Sequence, residues 1–165
     1  MRVELLPVGD VSQELLPRLA GRLARFGIQA EVLPPIPVTR TKPAQGPLRA
    51  ETLVRIASER GSAVLVVTAE DLDAEGFDFV FGYANLGSSG AVVSVARLED
   101  EDPDRLLDRV VKEAVHELGH NWGLAHCDAV GCVMHHSESV EDADAKEEGF
   151  CEDCRARVPF GIGKP

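Results

Sequence analysis

The stretch His116-Glu117-Leu118-Gly119-His120-Asn121-Trp122-Gly123-Leu124-Ala125-His126 limits what this chain can fold into more than any other. Upstream, Asp102-Pro103 places an N-cap acceptor before a proline at the first helical position, so a helix is expected to start there and run to about Trp122. Leu107, Val110, Val111, Ala114 and Leu118 fall on one stripe of that helix. At about 100° per residue, His116 and His120 project from roughly the opposite side. Gly123 can take the left-handed conformation that ends a helix, which lets the chain turn and bring His126 back towards the other two. The fold must therefore pack one face of this helix and leave the other at a cleft.

Histidines at i and i+4 lie one turn apart, close enough for both imidazoles to reach one zinc ion at about 2.0–2.1 Å. With His126 as third ligand, the ion keeps one open position for water, the mark of a catalytic rather than a closed structural site. Glu117 beside such a water could take its proton and later deliver it to a leaving amine, so hydrolysis of a peptide bond is the expected chemistry. The plainer role for Glu117, a surface ion pair, lacks a partner. The residues three and four away are Glu113, Ala114, His120 and Asn121.

All five histidines and all four cysteines lie between His116 and Cys154. Cys127 and Cys132 form one pair, Cys151 and Cys154 the other, and together they suit a closed four-cysteine zinc site. Two disulfides are the competing arrangement, favoured in an exported or hyperthermophilic protein. The tail between the pairs is acidic and poor in large apolar residues, so a metal clip would supply order that core burial cannot. Because Cys127 directly follows His126, loss of the cysteine cluster should also weaken the three-histidine site.

The rest of the chain reads as strands and helices in alternation. Residues 2 to 8 and 28 to 33 are expected as strands. Between them Leu15, Leu16, Leu19, Leu23 and Phe26 mark a helix with a cap at Ser12, its regular part starting near Pro17. Residues Pro34 to Pro47, with five prolines, should be a surface loop, with a flap over a cleft rim as the functional alternative. Leu48 to Arg60 reads as a helix, and Ala63 to Val67 as a central strand buried on both faces. Phe77 to Leu86 and Ala91 to Arg97 read as strands joined through Gly87-Ser88-Ser89-Gly90, giving an antiparallel edge. The acidic run Glu99 to Asp104 reads as solvated surface. At 165 residues and 44% apolar composition, one domain is expected. A net charge of −11 argues against nucleic acid as a partner. No stretch approaches the ~20 apolar residues of a membrane span, and a cytoplasmic monomer acting on peptide or protein is the expectation.

The HExxHxxGxxH pattern resembles the metzincin metallopeptidases. With Cys127 directly after the third histidine, then Cys132, Met134 and the Cys151/Cys154 pair, it is similar to the archaemetzincin family. The close likeness covers His116 to Cys154. Sixteen residues separate Met134 from Cys151, one fewer than expected of the family. The resemblance implies an α+β, metzincin-type fold: a twisted mixed sheet with a backing helix and the active-site helix in residues 1–123, and a small zinc-bound lower part in 124–165. It implies two zinc ions per chain, one catalytic and one structural, and Met134 as the methionine of a Met-turn beneath the catalytic metal. It also suggests that the Phe79 to Leu86 segment pairs with extended substrate. Tyr83 is the only tyrosine, so a Met-turn tyrosine is absent. His135 and His136 read as exposed loop residues rather than pocket lining. Zinc endoribonucleases of ribosomal-RNA maturation use similar histidine spacing but lack the glutamate, so Glu117 and the acidic charge oppose that alternative. A zinc-binding module without activity is the third reading.

Overall fold

In this computed structural model, residues 1–38, 46–159 and 161–162 are described. The order of elements is β1 (Arg2–Val8), α1 (Leu15–Ala24), β2 (Gln29–Val32), β3 (Leu48–Arg49), α2 (Ala50–Ser58), β4 (Val64–Thr68), β5 (Leu72–Asp73), β6 (Gly82–Ala84), β7 (Gly90–Ser94), α3 (Pro103–Asn121), α4 (Val140–Ala145) and α5 (Glu152–Arg155). Among the described residues, no helix is long and apolar enough to cross a membrane.

The main sheet has the order β2-β1-β4-β7-β6. All neighbours are parallel except β6, which pairs antiparallel with β7 through Tyr83 opposite Val92. The inner strands β4 and β7 are buried on both sides because both sides are covered. Val3 and Leu5 of β1, Leu65 and Val67 of β4, and Ala91 and Val93 of β7 pack with α1 and α3 on one face. Leu6, Val8, Val64, Val66 and Val92 pack with Ala50, Leu53, Val54 and Ala57 of α2 on the other. The first core continues without a break into Val133, Met134, Phe150 and Val158, so the C-terminal stretch shares the apolar interior of the sheet.

The architecture is the mixed α+β arrangement the sequence suggested, with local differences. Helix α1 starts at Leu15, two residues before Pro17. The proline sits in the first turn, where its missing N–H has no helical acceptor to lose. Ser12 contributes its carbonyl, which accepts from the Leu15 amide at 3.2 Å, and not a side-chain cap. The expected helix from Leu48 gives its first two residues to β3, paired with β5. Residues 77 to 81 are not part of a main-sheet strand; β6 is confined to Gly82–Ala84. The acidic run is not simply solvated, since Asp102 caps α3 and Asp100 pairs with the buried Arg109 at 3.2 Å. Most of the proline-rich stretch, residues 39–45, lies outside the described residues.

Candidate active site

Helix α3 carries the site, and its ends explain its placement. The Asp102 carboxylate accepts from the Asp104 amide at 2.9 Å, and Pro103 occupies the first position. At the other end Gly123 has φ +86°. Its amide bonds the His120 carbonyl at 2.9 Å, and the Leu124 amide bonds that of Gly119 at 3.0 Å. This pair of bonds is a Schellman turn, closed by the buried Leu124, and it reverses the chain so that His126 returns to the helix.

The ligand atoms of His116, His120 and His126 lie within 4.8 Å of one another. His116 Nδ1 is 2.8 Å from the Val133 carbonyl oxygen, and His120 Nδ1 is 2.7 Å from that of Leu124. A carbonyl oxygen only accepts, so both Nδ1 atoms must carry the proton, and both Nε2 atoms present lone pairs. Those two Nε2 atoms are 3.1 Å apart. Two acceptors at that distance repel unless a cation lies between them, and tetrahedral zinc at 2.0–2.1 Å would separate them by about 3.3–3.4 Å. Burial holds all three imidazoles towards the neutral form that a metal requires, with His126 lowered to about 4.

Glu117 lies on the same helix and lines the same cleft. Burial, and secondarily the nearby Glu113, push its carboxyl well above the usual carboxylate range, while Lys146 opposes them. The cleft, of about 700 Å³, runs between α3 with its histidines and a wall formed by residues 76–84, including Phe79, Phe81 and Gly82. Its β6 side is the free edge of the sheet. His136 lines the cleft too, its ring 4.6 Å from that of His126. His136 is the exposed loop histidine that the sequence suggested, and it lines the cleft as well. Only the turn that carries it brings it there, and nothing in the spacing of the sequence signals that turn.

Below the histidines, Met134 is fully buried against Gly119, whose missing side chain makes room for its sulfur. The four cysteine Sγ atoms also lie within 4.8 Å of one another. Cys127 and Cys151 Sγ are 3.8 Å apart, far beyond a disulfide's ~2.05 Å and equal to the separation of about 3.8 Å that Zn–S bonds of 2.3 Å give at tetrahedral angles. The two clusters are joined by one short segment. Cys132 belongs to the cysteine group, the Val133 carbonyl fixes His116, and the Met134 carbonyl accepts from the Cys127 amide at 2.9 Å.

A parallel sheet with an antiparallel edge, a helix carrying two histidines and a glutamate, and a third histidine delivered by a glycine turn are the features of a metallopeptidase of metzincin type. Residues 47–159 match the model of peptidase family M54. An archaemetzincin of Methanocaldococcus jannaschii is 36% identical over 96% of this chain and 93% of its own length. One from Methanopyrus kandleri is 54% identical over 91 residues, 55% of this chain and 52% of the relative. The crystal structure of an Archaeoglobus fulgidus archaemetzincin, in complex with malonate, superposes with a TM-score of 0.86 at 36% identity, covering 96% of this chain and all of that one. The chain belongs to peptidase family M54, the archaemetzincins, a family of zinc metallopeptidases.

Proposed function

We propose that this chain hydrolyses peptide bonds at the His116, His120 and His126 site, with Glu117 as the general acid and base. The observation that carries the proposal is the pair of Nε2 lone pairs facing each other at 3.1 Å, oriented by carbonyls on their far nitrogens. Zinc held there would polarise the scissile carbonyl and lower the pKa of water towards ~7. Glu117 takes the proton of the attacking water and passes it to the leaving amine. Its burial suits the first half of that cycle, because a carboxylate raised in pKa takes a proton more readily than an exposed one. The free edge of β6 holds extended substrate by strand addition, with the aromatic wall of Phe79 and Phe81 beneath the side chains.

Cys127, Cys132, Cys151 and Cys154 hold a second, structural zinc, which makes two ions per chain. On this reading residues 124–165 form the lower part of a single domain, Met134 supplies the apolar floor of the catalytic metal, and the protein acts as a monomer. An RNA substrate is disfavoured by the cleft itself, whose lining includes Asp78, Glu113 and Glu138 and neither Lys nor Arg among the described residues.

The test is cleavage of a peptide mixture by zinc-loaded protein. Wild type is expected to cut, and chelation to stop it. Glu117→Gln should reduce cleavage at least about 100-fold while zinc content stays at two per chain. Unchanged hydrolysis by that variant would remove Glu117 from the mechanism.

A further inference from the structure

The cleft holds an ionic device that the hydrolysis does not use. Lys146 is fully buried, and its ammonium donates to Glu113 Oε1 at 2.9 Å and to the His135 carbonyl at 3.3 Å. Ser137 donates to the same Oε1 at 3.4 Å. Glu113 is itself only 3% exposed, yet it lines the cleft, whereas Lys146 does not. Both contacts fall on one oxygen, Oε1, of a carboxylate that lines the cleft. A buried pair of this kind is costly to assemble and no stronger than an apolar pair of equal volume, so stability does not account for it. The pair holds the Glu113 carboxylate in the cleft wall.

The surroundings add to the same sign. Asp78 and Glu138 also line the cleft. The nearby guanidinium of Arg97 stacks on the Phe79 ring at 4.3 Å and is bound by both oxygens of Asp71 at 2.8 and 2.7 Å, so its charge is spent outside the cleft.

The placement along the substrate follows from the elements. Gly82 lies against Glu117, the Gly87 amide bonds the His120 carbonyl at 2.9 Å, and Asn121 donates to Ser88 Oγ at 2.9 Å. Strand β6 and helix α3 therefore run the same way along the cleft. A substrate paired antiparallel to β6, the more stable arrangement, runs the other way, with its C-terminal side towards Glu113. Glu113 precedes Glu117 by four residues, about 6 Å along the helix, which at about 3.3 Å per strand residue is within two residues of the scissile bond.

We infer that Glu113, held by Lys146, selects peptides with a basic side chain within two residues of the scissile bond on the leaving-amine side, and disfavours acidic ones there. This deepens the peptidase reading and rests on it. The test uses zinc-loaded protein and a library of hexapeptides that carry Lys, Arg, Ala, Asp or Glu at each position. Cleavage is mapped by mass spectrometry, and binding to the Glu117→Gln variant is measured by calorimetry. Wild type should cleave Lys and Arg peptides at least about tenfold faster than Asp and Glu peptides at that one place. Glu113→Gln strands a buried ammonium and can unfold the protein, so the deciding variant is Glu113→Gln with Lys146→Met, which removes both charges. In it the ratio should fall to within about threefold. Chelator-sensitive cleavage with no charge preference, or a preference that survives the double variant, would overturn the inference and leave the peptidase reading intact. Charge-selective binding with no cleavage of any peptide by wild type would support the pocket and remove the peptidase reading instead.

Discussion

Gly82 owes its identity to a residue across the cleft. A Cβ placed there would stand 2.6 Å from Oε1 and 2.7 Å from Cγ of Glu117, on a buried side chain with little space to withdraw. Gly82→Ala should therefore tilt the carboxylate away from the water that we propose it deprotonates. Peptide cleavage is expected to drop at least about tenfold, because sub-ångström misplacement of a general base is expensive. Zinc content should stay the same, and normal cleavage by this variant would show that β6 can yield. Residues on one helix were legible in the sequence: His116, Glu117 and His120 follow from the helical repeat, and His126 from Gly123. Gly82 was not, because its constraint spans 35 positions and leaves no periodic trace. His136 was legible as a loop histidine, but its ring contact with His126 was not. The cysteines were legible as a set but not as a geometry, and only the 3.8 Å sulfur separation distinguishes a metal clip from a disulfide.

At the scale of elements, the segment from Cys132 to His135 acts as a strut between the two ligand clusters. Its successive carbonyls reach Nδ1 of His116 and the amide of Cys127, the neighbour of His126. If the chain holds the two zinc ions proposed, Cys132→Ser should abolish the one at the cysteines and weaken the one at the histidines by about 10- to 100-fold, as loss of an orienting partner does elsewhere. Competition with a chromophoric chelator reads both affinities, and an unchanged catalytic site would show that the strut stands without its metal. The order of the main-sheet strands and of α1, α2 and α3 was readable, including the central strand buried on both faces and the antiparallel edge, whereas β3, β5, α4 and α5 were not. Boundaries were less readable. Residues 77–81, with three phenylalanines, read as strand, but they line the cleft, and only the Phe81 carbonyl, which accepts from the Ser94 amide at 2.8 Å, extends the β6 pairing. Apolar character alone does not say whether a residue faces core or substrate.

For the whole molecule, the question is what keeps the C-terminal stretch on the body. Among the described residues, cationic groups of two helices do so: Arg22 of α1 on Glu148, Arg109 of α3 on Asp144, and Lys112 of α3 on the Ala143 and Asp144 carbonyls. Arg109 grips both Asp144 oxygens at 2.7 Å and holds that carboxyl below its usual range. A carboxyl lowered on folding stabilises the fold fully above its unfolded value of ~3.9 and loses that contribution as the pH falls through its folded value. Asp144→Asn should thus cost about 1 kcal/mol near neutral pH, a modest figure because the carboxylate is 42% exposed. That corresponds to a melting temperature about 2–4 °C lower, and the gap to wild type should close below about pH 4. A gap constant down to pH 2 would mean that Asp144 acts through something other than its charge. The strut between the clusters has a further consequence. His116 takes its working orientation from a carbonyl whose neighbour, Cys132, belongs to the sulfur cluster. If both clusters take up zinc, the ion that arrives first should tighten the hold on the second, because coupling through the strut is reciprocal.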